Sequence, residues 1–538
     1  MSSKNSIHDD EKSQSNGAIS SNSAKYPLET SPGRAAALGY AHRPQSFPSI
    51  RVSTVAFILI GIALALAAAL AINFTATYSS LLVIAGAVGL ILTIIIFQKP
   101  ELGAYMLIFT VFTNLSDLFT EKGLPSINKP LVGIVLFSIF ANYVLRTGRL
   151  NSSGSIARAA GALLIYFLVI LFSSLVAINQ SKSFLAIFDL TKDIAVGVCI
   201  YLTLDNKEKL KTGVRVLLFA VTFVSILGAI HTLSGSSPTF WGLARDSAFG
   251  QIGGSGSLRY GGPIAESNVW GQILVSILPI ALYQFVKVRE PRTKFLAAMA
   301  TLFIFLAMLF TESRGAFLAL VVVLTLTALD LRIKANTLLS LASLGLVLLI
   351  IVPSRYTERI KTLDLFFQSN QENGLSQDAS VEGRREKMLT GLAMFREHPL
   401  LGVGFANYSD NYWSYAGNLG LEASASNVGS ESSARQPHSL YIEIMAETGI
   451  FGIASFATFI FIMLTDLYRS RVMNDANNAK ADPDWSLWIT SIFLSILTFL
   501  VAGIFLHGIG FRFIWVLSGL ALAIIHLTQE RSSSLQLN

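Results

Sequence analysis

Apolar runs of about 17–22 residues recur along this chain, from near residue 53 to near residue 528. A helix rises about 1.5 Å per residue, so a run of that length crosses the roughly 30 Å of hydrocarbon in a bilayer. The chain has 538 residues, of which 52% are hydrophobic and only 14% charged. Soluble domains do not have that balance. The fold class is therefore an all-α polytopic membrane protein. Read by run length, its spans lie at roughly 53–72, 79–97, 102–116, 130–146, 161–178, 184–204, 213–232, 269–286, 295–311, 315–329, 336–352, 438–464, 487–507 and 510–528, about fourteen transmembrane helices. The third, ninth and tenth are short.

Charge sets the expected orientation. A formal charge of +7 would suggest nucleic acid in a soluble protein. Here the basic residues fall in alternate loops: Arg146, Arg149 and Arg158; Lys207, Lys209 and Lys211; Lys287, Arg289 and Arg292; Arg469 and Arg471. The short loops between them are nearly bare, with only Lys182 in one. That asymmetry predicts basic loops, N-terminus and C-terminus in the cytoplasm. Residues 1–50 are rich in Ser, Asn, Pro and Gly and read as a disordered cytoplasmic tail. They lack the short apolar core and cleavage pattern of a signal peptide. Residues 51–352 hold helices 1–11, 353–437 a large outer loop, 438–528 helices 12–14, and 529–538 a second cytoplasmic tail. The lone Cys199 cannot form an intrachain disulfide.

Two outer segments are long, and long connections are usually functional or disordered. The first, from about 233 to 268, is rich in Gly and Ser. The second, 353–437, contains a helical pattern from Glu382 to Phe395 with Met388, Leu392 and Phe395 on one face. It is expected to lie on the outer membrane surface, so the loop is partly helical. The phosphate-binding GxxxxGK[ST] pattern does not occur, and His, Cys and Asp show no metal-ligand spacing. No cofactor or metal is expected.

The unusual polar residues gather on the outer side. They are Arg259 in the first loop, Arg314 in the turn between the ninth and tenth spans, Arg384 and Arg385 in the second loop, and His438 at the start of the twelfth. Arginine at a membrane boundary is costly and is kept for a partner. Its planar fork fits phosphate oxygens, which points to an anionic lipid headgroup such as a pyrophosphate. Each has a plainer reading: Arg314 as an interfacial anchor, Arg259 as solvated, Arg384 and Arg385 as the polar face of the loop helix, Glu312 as a partner of Arg314. An unperturbed imidazole would suit taking a proton from a sugar hydroxyl, which makes His438 a candidate base; the competing reading is a satisfied interfacial histidine. On a straight helix from His438, Ile442, Met445, Gly449 and Gly452 share its face, and the glycines would admit another helix. Glu447 would face away and serve structure. Lys192 is expected to pair with Asp189 or Asp193, and Glu266 and Asn268 to cap the eighth span. His507 and Arg512 join the site or anchor the last hairpin.

Pro437-His438-Ser439-Leu440-Tyr441, followed by Ala446-Glu447-Thr448-Gly449-Ile450-Phe451-Gly452, resembles the signature of the O-antigen ligase and O-antigen polymerase superfamily. Ser313-Arg314-Gly315-Ala316 resembles that family's S-R-G-A motif. Gly383-Arg384 with Glu397-His398-Pro399-Leu400-Leu401-Gly402-Val403-Gly404 resembles its large-loop pattern, and Arg259 to Asn268 followed by Leu278-Pro279 a fourth stretch. Ser439 departs from the commoner asparagine, and the long polar N-terminal tail is unusual.

The resemblance implies a membrane glycosyltransferase of the bacterial inner membrane with a periplasmic active site. The implied donor is an undecaprenyl-diphosphate-linked glycan, and the acceptor a growing glycan or a lipid A core sugar. Transfer would need neither metal nor nucleotide. His438 would be the general base, Arg259 and Arg314 would bind diphosphate, and Arg384 would assist. Nucleic acid is not an expected partner; polysaccharide-assembly proteins are possible ones. The rival readings are a transporter of a sugar, anion or lipid-linked glycan, whose best argument is Asp189/Lys192/Asp193 at membrane depth, and a non-catalytic polysaccharide-export partner.

Overall fold

The computed structural model describes residues 80–146, 154–247, 259–332, 379–421, 436–476, 483–506 and 512–536. The tail 1–50, the first span at 53–72, the eleventh at 336–352, the Gly/Ser stretch at 253–257, His507 and most of 418–434 lie outside the described residues. Residues Ala85–Asn538 pack as one unit. Its helices are α1 (Ser80–Gln98), α2 (Pro100–Phe112), α3 (Leu115–Glu121), α4 (Asn128–Arg146), α5 (Gly154–Leu175), α6 (Gln180–Thr203), α7 (Lys207–Leu233), α8 (Ser267–Lys287), α9 (Pro291–Phe310), α10 (Arg314–Asp330), α11 (Ala379–Glu397), α12 (Tyr408–Asn418), α13 (Leu440–Ala476), α14 (Pro483–Ala502) and α15 (Arg512–Gln536). No strand occurs among the described residues.

The all-α membrane architecture holds, and among the described residues the helices do not support the count of fourteen spans. Seven described helices (α5, α7, α8, α9, α13, α14 and α15) are long and apolar enough to cross a bilayer, or eight if α2 and α3 make one broken span. The reasons are local. α2 stops at Phe112, Asn114 takes a left-handed conformation (φ 52°), and α3 leaves at 63°. α6 carries Lys182, Asp189, Lys192 and Asp193, too many charges for an apolar span. α10 has only 17 residues, whereas α1 and α4 each have 19. α15 runs on to Gln536, past the expected end of the last span.

The bundle is built around α8, buried along nearly its whole length. α9 and α14 pack against it most extensively, with α10 beside them. Lipid offers no hydrophobic drive between helices, so close contact and interhelical hydrogen bonds decide the packing. Gly271 shows the first. A Cβ there would meet Thr311 Oγ1 at 2.9 Å, Ala316 Cβ at 3.0 Å and Ser313 Cβ at 3.1 Å, so the glycine seats the α9–α10 turn on α8. Gln272 shows the second, its Nε2 donating to the Phe499 carbonyl of α14 at 3.3 Å. Glu266 caps α8 as expected, accepting from Asn268 N at 3.3 Å and Val269 N at 2.6 Å. α13 packs along α5, and α15 along α6, where Gly197 and Gly519 bring the two backbones together.

α11 is not a detached surface helix. It packs on the first turns of α13 and on α12. Its fully buried residues are Thr390, Gly391 and Met394, while Met388, Leu392 and Phe395 are half-buried. The inward face is thus rotated from the expected one, because Gly391 lies against Ile442, Tyr408 and Ala446.

Candidate active site

Five helix ends meet at one end of the bundle: the starts of α8, α10 and α13, and the ends of α9 and α14. Arg259 ties the first of them. Its Nε donates to the Thr311 carbonyl at 3.1 Å, and Nη2 to the same carbonyl at 2.9 Å, to Glu312 O at 3.2 Å and to Asn268 Oδ1 at 3.2 Å. The last carbonyls of a helix have no partner within it, so this guanidinium completes the end of α9 and joins it to α8. Tyr260 N adds a bond to Phe310 O at 3.1 Å.

The turn it holds is tight. Glu312 sits at φ 48°, and Ser313 caps α10 by accepting from Ala316 N at 3.4 Å. Arg314 is then the first residue of α10 and is half-buried. A cation at a helix N-terminus opposes the helix dipole, so the placement costs the fold. The same placement adds a guanidinium to the backbone N–H groups of a helix start, which favour anions.

His438 lies in a bend two residues before α13, which begins at Leu440 rather than at the histidine. It adopts φ 51°, a left-handed conformation that costs a non-glycine residue on the order of 1 kcal/mol. The bend is held from the chain just after α14, because Leu440 N sits 2.8 Å from the carbonyls of both Gly503 and Leu506. That same segment meets the α10 start: a Cβ on Gly315 would lie 2.9 Å from Phe505 Cβ and 3.9 Å from Leu506 Cδ1. Residues 503–506 therefore sit between the chain beside His438 and the chain beside Arg314.

The nearest cation to the histidine is one that sequence reasoning missed. Lys387 of α11 has Nζ 3.3 Å from His438 Nε2. Its carbonyl accepts from Tyr408 Oη at 2.5 Å, which anchors that turn of α11 to α12. Arg384 lies three residues earlier, on the same helical face, and is half-buried; Arg385 is exposed. A helix-face count on α11 puts Arg384 and Lys387 together, but nothing in the sequence says that this face meets residue 438.

Glu447 does different work. Its Oε2 accepts from Ala406 N at 2.9 Å and its Oε1 from Tyr408 N at 3.1 Å. Val403 N bonds Ala446 O at 2.9 Å, Gly404 N bonds Glu447 O at 3.2 Å, and Ile450 N bonds Pro399 O at 2.8 Å. The stretches Pro399–Tyr408 and Ala446–Ile450 are one interlocked unit. Gly449 breaks α13 there (φ 66°, ψ −162°) and receives the backbone of Leu400 and Leu401. Gly449 thus admits a loop, where a neighbouring helix was expected. Gly452 is filled by Thr448 of its own helix.

The charges at membrane depth pair with one another. Lys192 Nζ lies 2.8 Å from Asp189 and 3.7 Å from Asp193. Arg512 donates to both oxygens of Asp117, at 3.2 Å and 3.1 Å, with its Nε 3.9 Å from Asp193. Arg512 thus ties α15 to α3 and α6 rather than entering the site.

No group of three or more His, Cys, Asp and Glu able to hold a metal occurs among the described residues. With this geometry in place, one comparison bears on the family. Residues 299–457 match the O-Antigen ligase family, so this part of the chain is similar to O-antigen ligases. No curated protein matches the chain. The matched segment runs from α9 into α13, so it contains Arg314, Arg384, Lys387, His438 and Glu447; Arg259 lies before it.

Proposed function

We propose that this protein transfers a glycan from an undecaprenyl-diphosphate carrier to an acceptor sugar at the periplasmic face of a bacterial inner membrane. The acceptor hydroxyl loses its proton to His438 Nε2 as its oxygen bonds the anomeric carbon. The bond from that carbon to the diphosphate oxygen breaks, and the electron pair leaves with the diphosphate. Attack opposite the leaving group inverts the anomeric centre. Arg314 binds the diphosphate and stabilises its growing charge; Arg384 assists from α11. Arg259 acts mainly by holding the turn that presents Arg314, and its charge adds to the same field. The acceptor is a growing glycan or a lipid A core sugar. The reaction needs no metal, and both chain termini are cytoplasmic.

The observation that carries this reading is the 503–506 segment just after α14, which lies against Gly315 on one side and Leu440 on the other. It supports a shared site for an anion-binding helix start and a candidate base. The test is transfer by the purified full chain, using an undecaprenyl-diphosphate oligosaccharide and candidate acceptor glycans. His438→Ala is expected to lower turnover by about 10²–10⁴-fold with donor binding retained. Unchanged turnover in that variant would remove the base assignment.

A further inference from the structure

From the contact between α11 and the bend before α13, we infer that Lys387 is a positioning residue that keeps Nε2 of His438 unprotonated. The inference rests on the reading of His438 as the general base.

A lysine ammonium has three donors and no acceptor. Facing it at 3.3 Å, Nε2 must offer its lone pair. The ring is then neutral, with its proton on Nδ1. Protonating Nε2 would oppose two positive charges at that distance and remove the hydrogen bond between them, so the imidazolium is disfavoured on both counts. A histidine that must accept a proton at neutral pH is useful only in the form Lys387 selects. The acceptor hydroxyl then replaces the ammonium at Nε2, donating where the lysine donated.

The surroundings make this a built arrangement. Tyr408 Oη holds the Lys387 carbonyl, and Gly391, one turn on, lets α11 lie against Ile442 and Ala446 of α13. The bend that holds His438 is fastened by the two bonds from Leu440 N to the Gly503 and Leu506 carbonyls just after α14. Both partners therefore stand on packed elements. α11 also carries Glu382, Arg384, Arg385, Glu386, Arg396 and Glu397, α12 carries Tyr408, Asp410, Tyr412 and Tyr415, the first turns of α13 carry Tyr441, Glu443 and Glu447, and Arg314 starts α10. The contact of Lys387 Nζ with Nε2 is the one the inference uses.

The test reads the histidine without substrate. Diethyl pyrocarbonate acylates only the neutral imidazole, and peptide mass spectrometry separates His438 from the exposed His398. The full-length protein in nanodiscs is labelled between pH 5 and 8 as wild type, Lys387→Gln, Lys387→Met and Lys387→Arg. In the Gln and Met variants the midpoint for His438 labelling is expected to rise by about one pH unit, with the acidic limb of the transfer profile following it. Arg should restore the wild-type midpoint, and His398 should titrate alike in all four. Gln keeps a donor without charge, so it stands in if Met disturbs folding. A midpoint for His438 that is unmoved, or moves down, when the charge is removed overturns the inference. A raised midpoint in a protein that transfers no glycan keeps the inference about Lys387 and sinks the glycosyltransferase reading instead.

Discussion

Two arginines in this bundle are bonded in opposite ways. Arg512 gives its Nη1 and Nη2 donors to the Asp117 carboxylate, with its Nε near Asp193 and with Lys192 and Asp189 beside it. Arg259 gives its Nε and Nη2 donors to two carbonyls and an amide oxygen. Bonds to carboxylates cancel a charge as they fix it. Bonds to neutral oxygens fix a guanidinium without themselves cancelling its charge. The first pattern is what a low-dielectric interior needs in order to tolerate ions. The second is what an anion site needs from its supports. The transporter reading drew its strength from Asp189, Lys192 and Asp193, and their mutual pairing with Arg512 gives them a sufficient structural task.

The contrast is sharpest at Arg314 against Arg512. Arg314→Ala is expected to cost about 10²–10³-fold in transfer, the loss typical of removing one donor to a developing oxyanion. Removing a cation from a helix N-terminus relieves the helix dipole, so the variant's melting temperature in detergent should fall less than that of Arg512→Leu. Arg512→Leu should do the reverse. It leaves Asp193, whose side chain is 5% exposed, near one cation fewer, and it frees Asp117 at the α3 end. Asp117 is 46% exposed, so the destabilisation is discounted to about 1–3 kcal/mol, read as a lower melting temperature with kcat retained in the folded fraction. If Arg314→Ala melts earlier than Arg512→Leu, or Arg512→Leu folds normally and is inactive, the two arginines have exchanged roles.

A smaller effect is expected at Glu447, which belongs to the written family signature yet supports a loop. Glu447→Ala strips the acceptors from Ala406 N and Tyr408 N, and burial makes each loss count for about 1–3 kcal/mol. Thermal unfolding should show the loss, and Glu447→Gln, which keeps one carbonyl oxygen, should recover part of it. The acidic limb of the transfer profile should not move. A shift of that limb in Glu447→Gln would mean that the carboxylate speaks to His438 after all.

These cases mark what could be read before the fold was known. Glu266 was legible as a cap because a cap needs only its own helix. Ser313 and Arg314 were legible as a turn because two apolar runs flank them. Lys192 with Asp189 followed from helical spacing. What stayed hidden needed contacts between distant segments. Lys387 meets His438 only because α11 folds onto α13, 51 residues on, and Asp117 meets Arg512 across 395. Among the described residues the span count lacks support for a different reason. Apolar length sees neither the left-handed Asn114 that turns α3 aside nor what four charged side chains do to α6. Arg259 was read as either solvated or substrate-binding, and its bonds to helix-end carbonyls belong to neither reading.

The smallest expected effect concerns how the large outer loop is fastened. Lys182, at the start of α6, donates to Asp410 of α12, and Asn179 N donates to Asn407 Oδ1 at 2.8 Å. Burial pushes the Asp410 carboxyl up, but the bond and charge of Lys182, helped by Asn179 and Ser409, outweigh it and hold the group below its ordinary value. A carboxylate depressed by folding stabilises above its unfolded value, near 3.9, and that contribution is lost as pH falls through the lower folded value. Both side chains are partly exposed, at 39% and 24%, so the pair contributes less than about 1 kcal/mol. Melting temperatures of wild type and Asp410→Asn should differ by a degree or two at pH 7 and converge below about pH 4. A gap that persists at pH 3 would mean that the substitution acts through something other than the charge of the Asp410 carboxylate.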